Sequence, residues 1–320
     1  MPEHPPPPVF STGEAPDFRQ SVWDDQLAAH VAARARDWLA EDLGQECDWT
    51  SVATVDRDAV ACLNVVCRRS GVIAGLDAGS VVARVADEQL EWRPLVADGT
   101  PVVKGDVVAT LAGPTRAVLA AERVLLNMIG RMSGVATATR QLVDAVAGTG
   151  CRVYDTRKTI PGWRLLDKHA TRIGGGWNHR LGLYDAILIK DNHLAALAAR
   201  GLGPAEAVRQ ARAFVAGAFP ADRAARTVVE VEVDSLAQLA AALPAGPDIV
   251  LLDNMPPETL LEAVAVRGRL ENARGRRVIL EASGGIRPET VRRIAETGVD
   301  RVSSGWPTHD APWLDVALDW

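Results

Sequence analysis

The N-terminal half of the chain changes its hydrophobic periodicity twice. Apolar residues recur at helical spacing from Asp24, and Gly44 is a typical end for that helix. Residues 59–110 are strand-like, with short apolar runs separated by glycine-containing turns. Residues 115–147 return to helical spacing, with a break predicted near Gly134. This half therefore predicts a small α+β sandwich domain with an antiparallel sheet.

Beyond Gly150 the pattern becomes a repeated order of strand, loop and helix, which predicts parallel strands. The expected strands are 152–155, 186–190, 227–233, 248–253, 277–282 and 300–303. The expected helices are 194–216, 235–242, 257–270 and 288–297. Only about 170 residues remain for this region, whereas a complete eight-unit barrel takes roughly 250. The fold class is therefore α/β, with an incomplete or atypical α/β barrel preceded by the sandwich domain.

These patterns divide the chain into four predicted segments. Residues 1–20 are proline-rich and are expected to be a disordered tail. Residues 21–133 form the N-terminal α+β domain, and residues 134–305 form the α/β-barrel domain that carries the chemistry. Residues 306–320 are expected to pack back on the N-terminal domain.

Composition excludes several classes of protein. The chain has 320 residues, 48% of them hydrophobic, and a formal net charge of -6, which argues against a nucleic-acid partner. No apolar stretch approaches the roughly 18 residues that span a bilayer, and the N-terminus lacks a secretory pattern, so a cytoplasmic protein without a membrane partner is expected. The four cysteines show neither a CxxC pair nor metal-ligand spacing.

Against this acidic background, positive charge concentrates between Arg152 and Lys190. This stretch contains eight Lys or Arg residues and only three acidic residues, a local excess of five positive charges. Arg157 and Lys158 follow one predicted strand and Lys190 ends another, and the carboxyl ends of barrel strands carry the chemistry. Guanidinium forks bind carboxylate and phosphate in bidentate fashion. The stretch is therefore interpreted as a pocket for a strongly anionic substrate.

Two later strands end in acids. In EVEVD, Glu230, Glu232 and Asp234 alternate with valines and so share one face of a strand, and Asp253 follows the next apolar run. Acids at neighbouring strand ends suit Mg²⁺, which commonly takes one or two carboxylates plus substrate phosphates. A structural ion pair with Arg157 or Lys190 is the alternative.

The last two strands each end in a glycine turn, ASGGI and VSSG, and such paired turns are typical of a phosphate site in barrel enzymes. The residues of these turns that are predicted to bind phosphate are Ser283, Gly284, Gly285, Ser304 and Gly305.

The motifs DTRKT, GGGxNHR with LGL, and LIKDNH resemble the signature of the quinolinate phosphoribosyltransferase family, and the similarity runs from about Trp23 to the C-terminus. The resemblance implies transfer of phosphoribosyl from phosphoribosyl pyrophosphate to quinolinate, with decarboxylation, in NAD biosynthesis. It implies substrate binding by Arg123, Thr156, Arg157, His179, Arg180 and Lys190. It also implies catalytic roles for Lys158, Glu232 and Asp253, with Mg²⁺ held by the two acids.

The family resemblance also implies assembly. Arg123 lies in a motif whose arginine reaches across a dimer interface into the neighbouring active site, so a homodimer or an oligomer of dimers is expected. From the residues alone, a salt bridge to a local acid such as Glu122 is the alternative. The resemblance implies phosphate binding by His309, the histidine of the family's GALTH segment. Here that segment reads GWPTH, so Trp306 and Pro307 depart from the family pattern in the loop before His309.

Two other functions stay open at this point. A related phosphoribosyltransferase would act on another base. A Schiff-base lyase would use Lys190 as its nucleophile, since a lysine at the end of an apolar barrel strand can be activated.

Overall fold

The computed structural model describes residues 16–270 and 277–320. The helices over these residues are α1 Asp25–Leu43, α2 Trp49–Thr54, α3 Leu76–Ala86, α4 Thr115–Ala145, α5 Arg164–Ile173, α6 Asp191–Ala198, α7 Pro204–Ala218, α8 Ala221–Arg226, α9 Leu236–Ala242, α10 Pro257–Arg269, α11 Pro288–Ala295 and α12 Trp306–His309. The strands are β1 Val60–Cys67, β2 Gly71–Val72, β3 Glu91–Pro94, β4 Pro101–Val102, β5 Val107–Pro114, β6 Arg152–Tyr154, β7 Ile187–Ile189, β8 Val229–Val233, β9 Ile249–Asp253, β10 Ile279–Ser283, β11 Arg301–Ser303 and β12 Val316–Asp319.

The described chain separates into two compact units. The sandwich unit contains residues 21–140, 159–176 and 307–320, and the barrel unit contains the described parts of 1–20, 141–158 and 177–306. The division differs from the predicted segments in four ways. Residues 134–140 belong to the sandwich unit, and Trp306 belongs to the barrel unit. Residues 159–176 belong to the sandwich unit, because buried residues of α5 join its apolar core. Residues 16–20 are ordered within the barrel unit, and residues 1–15 of the predicted disordered tail lie outside the described residues.

The sandwich unit is built on an antiparallel sheet in the order β12-β1-β5-β3, which confirms the predicted sheet. Its C-terminal strand β12 pairs with β1, with Val65 opposite Leu318. The predicted first helix is also confirmed. The side chain of Asp24 caps α1 by accepting a hydrogen bond from the Leu27 N–H at 2.8 Å, and Gly44, which has a positive φ, ends the helix.

Two local predictions in this unit are wrong. Residues 76–86, inside the region predicted as strands, form α3, because Leu76, Val82 and Ala83 are buried at helical spacing despite the β-branched residues around them. The long helix α4 is continuous through Gly134. A Cβ at Gly134 would lie 2.4 Å from the carbonyl oxygen of Pro312, so this glycine allows a close backbone approach within the unit and does not break the helix.

The barrel unit contains six parallel strands in the order β6-β11-β10-β9-β8-β7, and its core lies between the sheet and its helices. The sheet is not a closed barrel: over the described residues, no ladder joins the edge strands β6 and β7. The prediction of an incomplete α/β barrel is therefore confirmed. The single helix predicted over 194–216 is two helices, α6 and α7, because Gly201 adopts a positive φ and Pro204 begins a new helix.

One face of this sheet carries charged side chains. The register pairs Glu232 with Leu251, Leu251 with Glu281, and Glu281 with Arg301, so these residues project from the same side of the sheet. Strand alternation then places valines and leucines such as Val231 on the opposite side, where they pack in the main core of the unit. The charged face also carries a small apolar cluster that includes Phe18, Tyr154 and Ile249, in addition to its ionic groups.

Within the described ranges, no helix combines the length and the apolarity that a bilayer crossing requires.

Candidate active site

The predicted cations and acids meet at the carboxyl edge of the parallel sheet. Arg157 follows β6, Lys190 follows β7, Glu232 lies near the end of β8 and Asp253 ends β9. All six strands are parallel, so these ends share one edge. The sheet therefore brings together residues that are far apart in sequence.

Lys190 and Glu232 form an ion pair through Nζ and Oε2. The ammonium side chain is 45% exposed while the carboxylate is 10% exposed, so the pair lies at the rim of the site with the acid on the inner side. The Lys190 backbone N–H donates to His193 Nδ1 at 2.9 Å, and His193 thereby contributes to the N-terminal cap of α6. The local structure fixes the backbone of Lys190 and gives its charge a carboxylate partner.

Side-chain acceptors fix the irregular segment Asn178–Leu181. Its four consecutive backbone N–H groups donate, in order, to Gln20 Oε1 at 2.8 Å, Asp155 Oδ1 at 2.8 Å, His179 Nδ1 at 2.8 Å and Asp185 Oδ2 at 2.9 Å. The Asn178 side chain also donates to Asp155 Oδ2 at 2.8 Å. Buried backbone groups outside helices and sheets need such partners, so this segment has one well-defined conformation.

Two guanidinium groups lie in this region. Arg180 is buried, and burial lowers the pKa of its guanidinium. The positive charge of Arg157 lowers that pKa further, while Glu230, Asp185 and Glu232 act in the opposite direction. Two cations that repel each other in a partly desolvated site favour an anionic ligand between them.

The His179 ring is enclosed by protein atoms. Nδ1 accepts the Arg180 N–H, so the proton of the neutral ring belongs on Nε2, which lies 3.1 Å from Glu230 Oε2 and 3.6 Å from Glu281 Oε1. One face of the ring stacks on Phe18 at 4.1 Å. Direct substrate binding by His179 stays a prediction, and this arrangement favours an indirect role through the Arg180 backbone.

Glu230 and Glu281 lie deepest in the site. Complete burial raises the pKa of each carboxyl to about 7, and for Glu281 the charge of Glu230 adds to that effect. Both carboxylates face His179. These three residues also have ligand atoms within 4.8 Å of one another, a grouping that a metal ion could use.

The predicted metal residues differ from that buried trio. Glu232 and Asp253 lie on adjacent strands, and the register places them on the same side of the sheet, two positions apart. Carboxylate oxygens at an open edge fit a hard cation that completes its shell with phosphate and water. The donor chemistry of this pair therefore suits Mg²⁺.

The two predicted glycine turns are connected. Gly284 and Gly285 both have positive φ, and they lead into α11. The buried hydroxyl of Ser304, in the second turn, donates a hydrogen bond to the Ile286 carbonyl at 2.8 Å. This hydrogen bond connects the second turn to the end of the first. Ser283 precedes this pair of glycines and Gly305 follows Ser304 in the second turn. A turn of freed backbone N–H groups before a helix suits an anion.

Four other predicted residues have different surroundings. Thr156 Oγ1 accepts the Lys158 N–H at 3.0 Å, and this bond shapes the loop after β6. Arg123 and His309 belong to the sandwich unit. Arg123 is 65% exposed and lies 3.8 Å from Glu122, a long contact that leaves its guanidinium largely in solvent.

Sequence reasoning missed several buried polar residues of the site. Asp155 fixes two residues of the Asn178 segment, and Arg301 forms an ion pair with Asp17 at 3.1 Å. Both lie within or beside short apolar strands, and a charge inside an apolar strand was an available signal because a buried charge needs a partner. Nothing in the tail composition pointed to Asp17 or Phe18.

Two family models match the chain in succession. The N-terminal domain of quinolinate phosphoribosyl transferase matches residues 48–133, and its C-terminal domain matches residues 135–319.

Individual proteins are similar over most of their length. The nicotinate-nucleotide pyrophosphorylase (carboxylating) of Mycobacterium leprae is 43% identical over 283 residues, covering 88% of this chain and 94% of that protein. A probable enzyme of the same name from Methanothermobacter thermautotrophicus is 39% identical, covering 89% and 96%. The solved nicotinate-nucleotide pyrophosphorylase of Francisella tularensis superposes with a TM-score of 0.82 at 35% identity, covering 95% of this chain and 99% of that one.

Proposed function

Since the chain belongs to the quinolinate phosphoribosyltransferase family, we propose that it transfers phosphoribosyl from phosphoribosyl pyrophosphate to quinolinate with decarboxylation. The products are nicotinate mononucleotide, pyrophosphate and carbon dioxide, and the reaction is a step of NAD biosynthesis. The observation that carries the proposal is the pair of mutually repelling guanidiniums, Arg157 and Arg180, beside the Lys190–Glu232 ion pair at one sheet edge. Quinolinate has two adjacent carboxylates that would neutralise such a site.

Recognition of quinolinate follows from these charges. Arg157, Arg180 and Lys190 would contact the two carboxylates, and Arg180 would do so from a partly desolvated position, where charge-assisted hydrogen bonds are strong. His179 would hold the backbone of Arg180 in place. The site would thus bind a dicarboxylate more tightly than a monocarboxylate. A single carboxylate would leave one guanidinium without an anionic partner, and the repulsion between Arg157 and Arg180 would be only partly relieved.

In the chemical step, the bond between ribose C1 and pyrophosphate breaks and the pyridine nitrogen forms the new bond to C1. Glu232 and Asp253 would stabilise the positive charge that develops on the sugar. The alkylated, cationic ring then accepts the electron pair released when the 2-carboxylate leaves as carbon dioxide, and a proton from solvent replaces it at C2. The residues act by positioning and neutralising charge, and no covalent intermediate is required.

Phosphate groups would be held at two places. The glycine turns after β10 and β11 would bind the 5-phosphate, and Lys158 would face the pyrophosphate. Glu232 and Asp253 would hold Mg²⁺, which when bound neutralises charge on the leaving pyrophosphate.

Assembly and location are part of the same proposal. Arg123 is exposed on one chain, and in a homodimer it would enter the neighbouring active site and add a third guanidinium there. A cytoplasmic location stays a prediction of the sequence.

The Schiff-base alternative has less support. A lysine nucleophile must reach its neutral form, and apolar or cationic surroundings favour that. Lys190 instead forms an ion pair with the carboxylate of Glu232, so its surroundings are neither apolar nor cationic.

The test is pyrophosphate release from phosphoribosyl pyrophosphate with quinolinate and, separately, with nicotinate as acceptor. We expect release with quinolinate, together with one carbon dioxide per pyrophosphate, and little release with nicotinate. A preference for nicotinate would place the chain with phosphoribosyltransferases that act on another base.

A further inference from the structure

The short N-terminal segment that precedes the sandwich unit lies inside the barrel unit. Phe18 is 4% exposed and packs with Tyr154, Val228 and Ile249 on the charged side of the sheet. This apolar contact holds the segment against the sheet, because removing a phenyl ring from water is favourable.

Ionic and hydrogen-bond contacts anchor the start of the segment. Asp17 Oδ1 lies 3.1 Å from Arg301 Nη1, and Asp17 Oδ2 accepts a hydrogen bond from the Tyr154 hydroxyl at 2.6 Å. The side chains of Asp17 and Arg301 are 8% and 6% exposed, so the pair is desolvated. Arg301 in turn lies over the Tyr154 ring at 4.3 Å. The anchor holds Phe18 at a defined depth.

The other end of the segment contacts the site directly. Gln20 donates from Nε2 to the Asn178 carbonyl at 3.1 Å and accepts the Asn178 N–H through Oε1 at 2.8 Å. The Gln20 side-chain amide thus pairs with both backbone polar groups of Asn178, as a residue of a neighbouring β-strand would. Phe18 meanwhile stacks on the next residue, His179, at 4.1 Å with an interplanar angle of 24°.

We propose that the segment from Asp17 to Gln20 is a positioning element for substrate recognition. Gln20 fixes the backbone of Asn178 and Phe18 fixes the ring of His179. His179 Nδ1 then fixes the backbone N–H of Arg180, whose guanidinium binds the anionic substrate. In this proposal the segment residues act through Arg180 and not by binding substrate themselves. Their effect passes through a turn that has no regular secondary structure to maintain its shape.

The inference rests in part on the proposed function, and its test therefore has two readouts in the full-length protein. The first is hydrogen–deuterium exchange at residues 178–181 in the free protein, which is independent of activity. The second is the KM for quinolinate compared with the KM for phosphoribosyl pyrophosphate. If the wild-type protein lacks activity with quinolinate, the proposed function fails while the exchange readout still tests the positioning role.

The informative variants are Gln20→Ala and Phe18→Leu. Gln20→Ala removes three hydrogen bonds at a half-buried position, two with the Asn178 backbone and one with the Phe18 carbonyl, and Phe18→Leu keeps apolar volume but loses the planar stacking surface. For Gln20→Ala we expect faster exchange at residues 178–181 and a rise of about tenfold in KM for quinolinate, with the other KM within about twofold. Gln20→Glu, which keeps the acceptor and loses the donor, should give an intermediate KM.

Two control variants separate positioning from general destabilisation. Arg209→Ala removes a guanidinium that is 60% exposed and pairs with Glu206 within α7, away from the segment, so both readouts should stay near wild type. Val291→Ala removes apolar volume from the main core of the barrel unit and should lower stability without changing the ratio of the two KM values. Unchanged exchange in Gln20→Ala, an unchanged quinolinate KM, or an equal rise in both KM values would overturn the inference.

Discussion

At the scale of single residues, burial of charged side chains determines their pKa values and their affinity for anions in this site. Arg180 is the clearest example, because burial and the neighbouring Arg157 both lower its pKa, and an anionic substrate would relieve both effects. The strand-end position in a cationic stretch predicted Arg157, and the family resemblance implied Arg180. Neither signal gave a measure of their burial, which depends on contacts between distant segments.

Removing the Arg180 guanidinium tests this point. We expect Arg180→Ala to lower kcat/KM for quinolinate by at least about 100-fold, because a strong charge-assisted contact to the substrate is lost. Arg180→Lys should recover only part of this loss, since an ammonium cannot form the bidentate contact. Steady-state kinetics measure the effect, and circular dichroism checks that the fold is retained.

The matched control is Arg226→Ala, which removes a guanidinium that is 71% exposed and paired with Asp222 within one helix. Activity should stay within about twofold of wild type, because exposed pairs of this kind contribute little. If Arg180→Ala were as active as this control, Arg180 would have no place in substrate binding.

A second prediction concerns Glu281, whose pKa burial raises from 4.5 to about 7. Because the folded state binds this proton more tightly than the unfolded state, the contribution of Glu281 to stability falls as pH rises from about 4.5 to about 7. Glu281→Gln keeps the shape and removes the ionisation. Relative to wild type, the variant should therefore gain stability between pH 5 and pH 8, by on the order of 1–3 kcal/mol.

Chemical denaturation at the two pH values measures this difference in the free energy of unfolding. A difference between variant and wild type that is the same at both pH values would show that Glu281 does not carry a raised pKa. The sequence could not have predicted this behaviour, because only the register beside Arg301 and the contact with His179 place the carboxylate in the interior.

At the scale of elements, strong periodicity predicted most strands and helices, and backbone contacts account for the failures. The six parallel strands were predicted close to their actual positions, because each is a short apolar run between turn signals. The break predicted in α4 was wrong because a glycine within a helical pattern can either end the helix or allow another backbone to pack closely against it. Gly134 serves the close approach of Pro312, which is nearly 180 residues away in sequence.

Gly134→Ala should therefore destabilise the sandwich unit, although alanine is the better helix former. The new Cβ would meet the Pro312 carbonyl oxygen at 2.4 Å and the Trp313 Cα at 2.9 Å, and overpacking against backbone typically costs about 1–3 kcal/mol. Gly268→Ala in α10 is the matched control, because no heavy atom lies within 4 Å of the added Cβ. The control should be neutral or stabilising by up to about 1 kcal/mol. Equal stability of the two variants in urea titrations would contradict the packing role of Gly134.

At the scale of the whole molecule, the proposed dimer makes a distinct prediction about Arg123. If Arg123 acts in the neighbouring active site, a subunit with Arg123→Ala and a subunit with Arg157→Ala can complement each other. In a mixed dimer, one site would contain both defects and the other would contain neither. Random mixing of two inactive variants should therefore restore about a quarter of the wild-type activity.

Mixing after mild dissociation and reassembly, followed by assay of quinolinate turnover, measures this recovery. Recovery should depend on subunit exchange and vanish when each variant is assayed alone. Activity that stays at the level of the single variants would place Arg123 outside any shared site. The dimer was predicted from the family resemblance alone, since residue patterns left Glu122 as an equal candidate partner for this arginine.

The central claim is that the cationic groups at the carboxyl edge of the parallel sheet form one pocket that matches a pyridine dicarboxylate. Calorimetric titration of the full-length protein with quinolinate and with nicotinate tests it most directly, because the two ligands differ by one carboxylate. One additional charge-assisted contact of roughly 1.5–3 kcal/mol predicts that quinolinate binds at least about tenfold more tightly. Equal affinity for the two ligands, or tighter binding of nicotinate, would contradict the claim.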